Sequence, residues 1–262
     1  FLMGATAGRT TLNGEGLQHQ DGHSLLMAST VPHCRAWDPA YAYELATIIR
    51  HGIDEMWGNN QDVFHYVMLY NENQQQSPKP DGCDDGIVRG AYLLQEFGEA
   101  GPKVRLLGSG PILEYVMEAA QTLSNEHGIQ SEVWSVTSYG ELRRNGLDAE
   151  RATRLSPENP QSSYVSECFG DEIPTVATSD FIVAVPEMIQ RWVGGRFVVL
   201  GTDGFGRSDS REALRSFFEI DTRSIVAAAL SALEQDGAIP SGTVNKVSKA
   251  MGVPIERVDK TA

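Results

Sequence analysis

The chain reads as an α/β protein with a mostly parallel sheet flanked by helices. Three observations predict this. From Val104 onward, short β-branched segments alternate with longer amphipathic ones, the pattern of βαβ units. Two of the strand-like segments end in glycine turns, Gly108-Ser109-Gly110 and the run from Gly201 to Asp209. The run from Val63 to Leu69 is apolar without alternation, as expected of a strand covered on both faces.

Each element can be argued in order. The opening Phe1-Leu2-Met3-Gly4 has no initiator Met and no capping residue, and reads as the end of a buried helix whose beginning is missing. On that reading the chain is the C-terminal portion of a longer protein. Leu25 to Ala28 forms a short buried segment. Asp38-Pro39 predicts an N-cap and first-turn proline, and Tyr41, Leu45, Ile48, Ile49, Ile53 and Met56 follow at helical spacing as far as Gly58. Asn71 to Asp85 holds three consecutive glutamines and two prolines without periodicity, so a domain boundary is placed there.

Beyond it, Val104 to Leu107 is a strand, and a helix over 111–127 carries Ile112, Val116, Ala119, Ala120 and Leu123 on one face. A strand at Glu132–Val136, a helix over Tyr139–Leu155 and a strand at Thr175–Thr178 follow. A helix is expected around Phe181–Trp192 and a strand over Arg196–Leu200, then helices starting near Arg211, Thr222 and Ser241.

Composition narrows the function. At 262 residues, with 41% hydrophobic and 21% charged residues, the chain can bury a sizeable core. A formal net charge of −14 argues against nucleic acid or an anionic membrane as the main partner. No run of about 18 apolar residues is present, so no span is expected. Cys34, Cys83 and Cys168 are far apart and form no CxxC, which points to free thiols in a reducing compartment.

Gly8 to His23, GRTTLNGEGLQHQDGH, carries four glycines around Arg9, Glu15, His19, Asp21 and His23. Such a segment is neither helix nor regular strand. It is either a solvated surface loop or part of a site, where Glu15 and His19 form an acid/base pair. Until completed by a ligand and a partner, it is expected to be poorly packed. His19 and His23 have zinc-protease spacing, but the glycines argue against the helix such a site needs, and no third ligand is evident. His33, His51, His65 and His127 lie on or beside apolar segments and read as ordinary packed or surface histidines.

After the first glycine turn the third glycine of a dinucleotide fingerprint is replaced by Leu113, and Glu132 would open the second strand rather than close it. The turn therefore argues against a nicotinamide cofactor. The Gly201–Asp209 run sits at a carboxyl strand end, where open α/β sheets bind ligands. There Arg207 either shapes an anion pocket or makes a structural ion pair.

The segment Thr6 to His23 resembles the corresponding loop of the homodimeric bacterial pyruvate dehydrogenase E1 family, in the transketolase-like superfamily. The likeness continues through Asp38-Pro39-Ala40-Tyr41-Ala42-Tyr43-Glu44, Leu106 to Gly110, Val136-Thr137-Ser138 and Leu200 to Arg211. It implies that residues 1–85 are the C-terminal half of a pyrimidine-binding domain, and that residues 86–262 are a transketolase C-terminal-like domain. The implied reaction is decarboxylation of pyruvate on thiamin diphosphate with Mg2+. The acetyl unit then passes to the lipoyl domain of dihydrolipoyl acetyltransferase, in a cytoplasmic homodimer.

By that resemblance His19 faces the cofactor-bound intermediate and Glu15 lines the same pocket; His19 and, more weakly, Arg207 contact substrate. The loop carrying Arg207 lies at the subunit interface in the superfamily. The Gly-Asp-Gly…Asn diphosphate signature and the glutamate that activates the cofactor have no counterpart here, so the fragment alone is expected to be inactive. Two other readings stay open. One is a sister enzyme acting on a different 2-oxo acid or a sugar phosphate, although Arg9 and Arg207 are few for a phosphate. The other is a non-catalytic scaffold.

Overall fold

The computed structural model describes residues 1–6, 8–12 and 19–253. Strands β1 (Leu2–Thr6), β2 (Cys34–Trp37) and β3 (Phe64–Leu69) pair in parallel in the order β1-β3-β2. Strands β4 (Ala91–Phe97), β5 (Lys103–Gly108), β6 (Gln130–Val136), β7 (Thr175–Thr178) and β8 (Phe197–Leu200) form a second sheet, ordered β4-β6-β5-β7-β8. In it only β4 runs antiparallel to its neighbour. The α/β architecture with helix-covered, mostly parallel sheets is as the alternation predicts.

Helices cover both faces of the second sheet. On one face α4 (Ile112–His127) and α8 (Thr222–Gln235) bury Ile112, Val116, Leu123, Ile225 and Leu230 against Val104 and Leu106 of β5. On the other, α5 (Tyr139–Leu155), α6 (Tyr164–Phe169) and a 3-10 turn (Pro186–Trp192) pack Leu142, Phe169 and Ile189 over Leu107 and Ala177. Successive β5 side chains point to opposite faces, and both faces are covered, so Val104, Leu106 and Leu107 are wholly buried and Arg105 is buried against Glu132 and Asp171. That second core also takes in Leu25 of α1 (Ser24–Ser29), Cys34 and Ala36 of β2, and Met68 of β3. The two sheets therefore share a core.

Several expectations change. Leu2 to Thr6 is not a helix end but a strand, because it pairs with β3 from Leu2 opposite His65; a short apolar run carries no period that separates the two. Strands β2 and β4 were not expected, nor were α6 and α3 (Asp84–Arg89), since all are short and locally ambiguous. Around Phe181–Trp192 only the 3-10 turn forms; Pro186 lacks the N–H that would continue a helix through it.

Asp38 is not an N-cap. Helix α2 starts later, at Ala42, and runs to Ile53 before a π-helical turn over Asp54–Gly58. Its start is held by Glu44, whose buried carboxylate accepts the N–H of Ala40 at 2.5 Å and of Tyr41 at 3.0 Å. The hydroxyls of Tyr92 and Ser135 complete that shell, each at 2.6 Å. The last two helices are α7 (Arg211–Phe217) and α9 (Thr243–Met251). Among the described residues no helix is long and apolar enough to cross a membrane. Cys34 and Cys83 are buried, Cys168 is partly so, and all three are free thiols.

Candidate functional site

The polar glycine segment enters and leaves through buried roots, so at its ends the expectation of loose packing does not hold; residues 13–18 lie outside the described residues. On the entering side Gly8 has φ +104°, and a Cβ there would lie 2.3 Å from Asp180 Oδ2, so glycine is required twice over. The N–H and hydroxyl of Thr10 donate to Asp180 Oδ1 at 2.9 and 2.7 Å, and the Thr11 hydroxyl donates to Oδ2 at 2.8 Å. Asp180 follows β7 at its carboxyl end and is 1% exposed. Burial pushes its carboxyl up to about 6, against the pull of the Thr10 and Thr11 hydrogen bonds and of Arg215.

Arginines of α7 close this root from behind. Arg215 reaches Thr10 Oγ1 at 3.3 Å and donates at 2.9 Å to both Glu72 Oε1 and the Tyr115 hydroxyl. Arg211 Nε donates to the Thr11 carbonyl at 2.8 Å. Arg9 ties entrance to exit: Nη1 donates to the Gly204 carbonyl at 2.8 Å, and Nη2 lies 3.1 Å from His23 Nδ1. A guanidinium can only donate, so His23 Nδ1 is the acceptor.

On the leaving side His19 is exposed, while the next residue, Gln20, is buried. The Gln20 amide makes a reciprocal pair with the backbone of Arg207: Nε2 donates to its carbonyl, and its N–H donates to Oε1 at 2.5 Å. Asp21 then accepts the N–H of His23 at 2.9 Å and of Ser24 at 3.0 Å, starting α1.

A second buried carboxyl lies where both sheets present their carboxyl ends. Asp38 follows β2, Tyr70 follows β3 and Ser109 follows β5. Asp38 accepts from the Tyr70 hydroxyl and from Ser109 Oγ at 2.7 Å, and its carbonyl accepts the Gly110 N–H at 3.1 Å. Burial pushes Asp38 up to about 7, opposed by those two side-chain hydrogen bonds; Asp180 adds to the rise. A cleft of about 380 Å³ opens beside it, lined by Pro39, Tyr41, Tyr70, Glu72 and Gln76 among others.

Of the residues expected from sequence, His19 is exposed beside the buried Gln20. Glu15 lies outside the described residues. Arg207 stacks its guanidinium over the Phe217 ring, 4.9 Å from the centroid, and lends its backbone to Gln20. Among the described residues, no cluster of three or more His, Cys, Asp or Glu could hold a metal ion. His65 is wholly buried; its Nδ1 accepts from Trp37 Nε1 at 2.9 Å, and its Nε2 lies 3.1 Å from Glu55.

Sequence reasoning did not find Gln20, Asp180 or Tyr70, and took Asp38 for a cap. The usable signal was positional, since Asp38, Ser109 and Asp180 all follow strand ends.

Comparison with known proteins agrees with this architecture. Residues 90–221 match the family model of the transketolase-like TK C-terminal domain. Residues 1–77 match that of the pyruvate dehydrogenase E1 component middle domain. The pyruvate dehydrogenase E1 component of Pseudomonas aeruginosa is 52% identical over 98% of this chain and 30% of its own length. That of Escherichia coli K12 is 44% identical over 99% of this chain and 29% of its own. The chain thus spans under a third of the length of these curated relatives.

Among solved structures, transketolase from Leishmania mexicana superposes with a TM-score of 0.65 at 16% identity, covering 93% of this chain and 32% of that one. The inactive beta4 tetramer of a split gene transketolase gives 0.60 at 18%, covering 89% and 67%. Likeness at these identities shows the shared fold.

Proposed function

The chain belongs to the transketolase-like family by its C-terminal domain, and from that premise we propose that it is the C-terminal portion of a pyruvate dehydrogenase E1 component. The observation that carries this reading is the 52% identity to the Pseudomonas aeruginosa E1 component across 98% of the chain. The whole protein would decarboxylate pyruvate on thiamin diphosphate and Mg2+ and acetylate the lipoyl domain of an acetyltransferase, as a cytoplasmic homodimer. Residues 1–85 are read as half of the pyrimidine-binding domain and residues 86–262 as the C-terminal domain. Support for that division comes from the two sheets, which fall on either side of it.

The described residues do not fit the diphosphate and its metal. The carboxyls at the strand ends, Asp38 and Asp180, already accept from Tyr70, Ser109, Thr10 and Thr11. The guanidiniums of Arg9, Arg211 and Arg215 are engaged with Gly204, Thr11 and Glu72. What this chain contributes is the placement of His19. The imidazole is exposed beside the buried Gln20, so it can meet a reacting group presented by another part of the enzyme. It can donate to a developing oxyanion or relay a proton there.

In the full-length enzyme His19→Ala is expected to lower pyruvate-dependent lipoamide acetylation at least about a hundredfold. Its unfolding midpoint should stay at the wild-type value, since an exposed histidine contributes little buried surface. Near-normal turnover would remove His19 from the mechanism and leave Glu15 as the candidate.

A further inference from the structure

We propose that Gln20 is a positioning residue for His19, holding that histidine in place by clamping the glycine-rich loop of the C-terminal domain. The proposal rests on the reading of His19 given above. Gln20 is buried and the adjacent His19 is exposed, so holding the Gln20 side chain fixes the backbone from which His19 projects.

The clamp suits an amide and no other side chain of that length. Gln20 offers one donor and one acceptor side by side, and Arg207 presents one carbonyl and one N–H to match. A glutamate would keep the acceptor and lose the donor. The loop leaves no room for variation opposite the amide. A Cβ on Gly206 would lie 2.5 Å from Gln20 Oε1 and 2.9 Å from its Cβ.

The loop is itself fixed, so the clamp has something rigid to hold. Thr202 N–H donates to the Phe181 carbonyl at 3.0 Å, and Val183 N–H donates to Asp203 Oδ2 at 3.0 Å. A Cβ on Gly201 would meet the same Phe181 carbonyl at 2.7 Å. The line of force therefore runs from the end of β7, through the 201–207 loop, to Gln20 and its neighbour His19. An error of about 1 Å in a reacting group can cost on the order of a hundredfold in rate, so such a mount has catalytic weight without touching substrate.

The test uses the full-length enzyme with Gln20→Ala, Gln20→Glu and Gly206→Ala, each alone and combined with His19→Ala. Gln20→Ala and Gly206→Ala should each lower kcat about tenfold or more, with Gln20→Glu between them and wild type. In the His19→Ala background each should add less than about twofold, because the residue it positions is gone.

Hydrogen exchange gives a second readout that does not depend on activity. The Arg207 amide should be protected in wild type and in His19→Ala, and should exchange faster in Gln20→Ala. Unchanged protection in Gln20→Ala overturns the clamp while leaving the functional reading intact. Losses that multiply fully in the double variants reduce Gln20 to a structural part. Wild-type turnover in His19→Ala overturns the functional reading, and the positioning role falls with it.

Discussion

The two sheets are built from the same kind of parallel strand, yet they hold their stability in different places. In the five-stranded sheet the apolar residues of β5 are wholly covered, with helices on both faces. In the three-stranded sheet the edge strand β1 leaves Leu2 48% and Met3 43% exposed, and beyond α2 Trp57 is 87% exposed. The smaller sheet is secured by a small cluster under α2, in which Trp37, Ile48 and Val67 meet Cys83, Ile87 and Tyr92, and by its seam with the larger sheet. The seam has an apolar part, Leu25, Cys34, Ala36 and Met68 against Leu107 and Val136. It also has a polar part built on Asp38 and Asp180. The groups that anchor the glycine segment thus come in part from loops of the larger sheet, Asp180 after β7 and Arg207 after β8.

The largest effect should come from the covered core. Leu106→Ala or Leu107→Ala is expected to cost about 2–5 kcal/mol by denaturant unfolding of the intact protein, as the transfer and cavity terms add. A loss below about 1 kcal/mol at both positions would break the contrast between the sheets.

Next in size is the polar seam. Asp180→Ala strands the Thr10 N–H and two threonine hydroxyls, and should cost about 3 kcal/mol, since buried donors left without acceptors carry their desolvation penalty. Asp85→Ala, which removes an exposed pair with Arg89, should cost under about 1 kcal/mol. Equal losses would mean that burial at the seam has no special weight.

The seam should also respond to pH. Asp38 and Asp180 are raised by burial to about 7 and about 6 from an ordinary 3.8. The folded state therefore binds more protons than the unfolded chain between those values. Their contribution is fully present below about 4 and is lost as pH rises to about 7. Between pH 5 and pH 7 stability should fall by about 2 kcal/mol on account of Asp38 alone. Asp38→Asn should flatten that slope in thermal unfolding scans; an unchanged slope assigns it to other groups.

The smallest effect sharpens the comparison from the other side. Leu2→Ala and Trp57→Ala remove surface that is already exposed, and each should change the unfolding free energy by less than about 0.5 kcal/mol. A larger loss at either would show that these exposed side chains pack onto the smaller sheet's cluster of Trp37, Ile48 and Val67.

The sequence by itself determined the elements whose signal is local and repeated. Helix α4 carries its apolar face through sixteen residues, and β5 and β7 are short segments rich in β-branched and aliphatic residues between helices, so period and composition located them closely. The Gly8–His23 segment was legible as a candidate site from its residue types, and His19 could be named within it. Only the tertiary structure decided the rest. Strands β1, β2 and β4 are short and acquire their identity from a partner strand. Asp38 looked like a cap because Asp-Pro is a local signal, whereas its partners Tyr70 and Ser109 stand 32 and 71 residues away. Gln20 meets Arg207 across 187 residues, and Asp180 meets Thr10 across 170. A hydrogen bond needs geometry that no pattern along the chain encodes, and it was the packing of the two sheets at their carboxyl ends that brought these groups within reach.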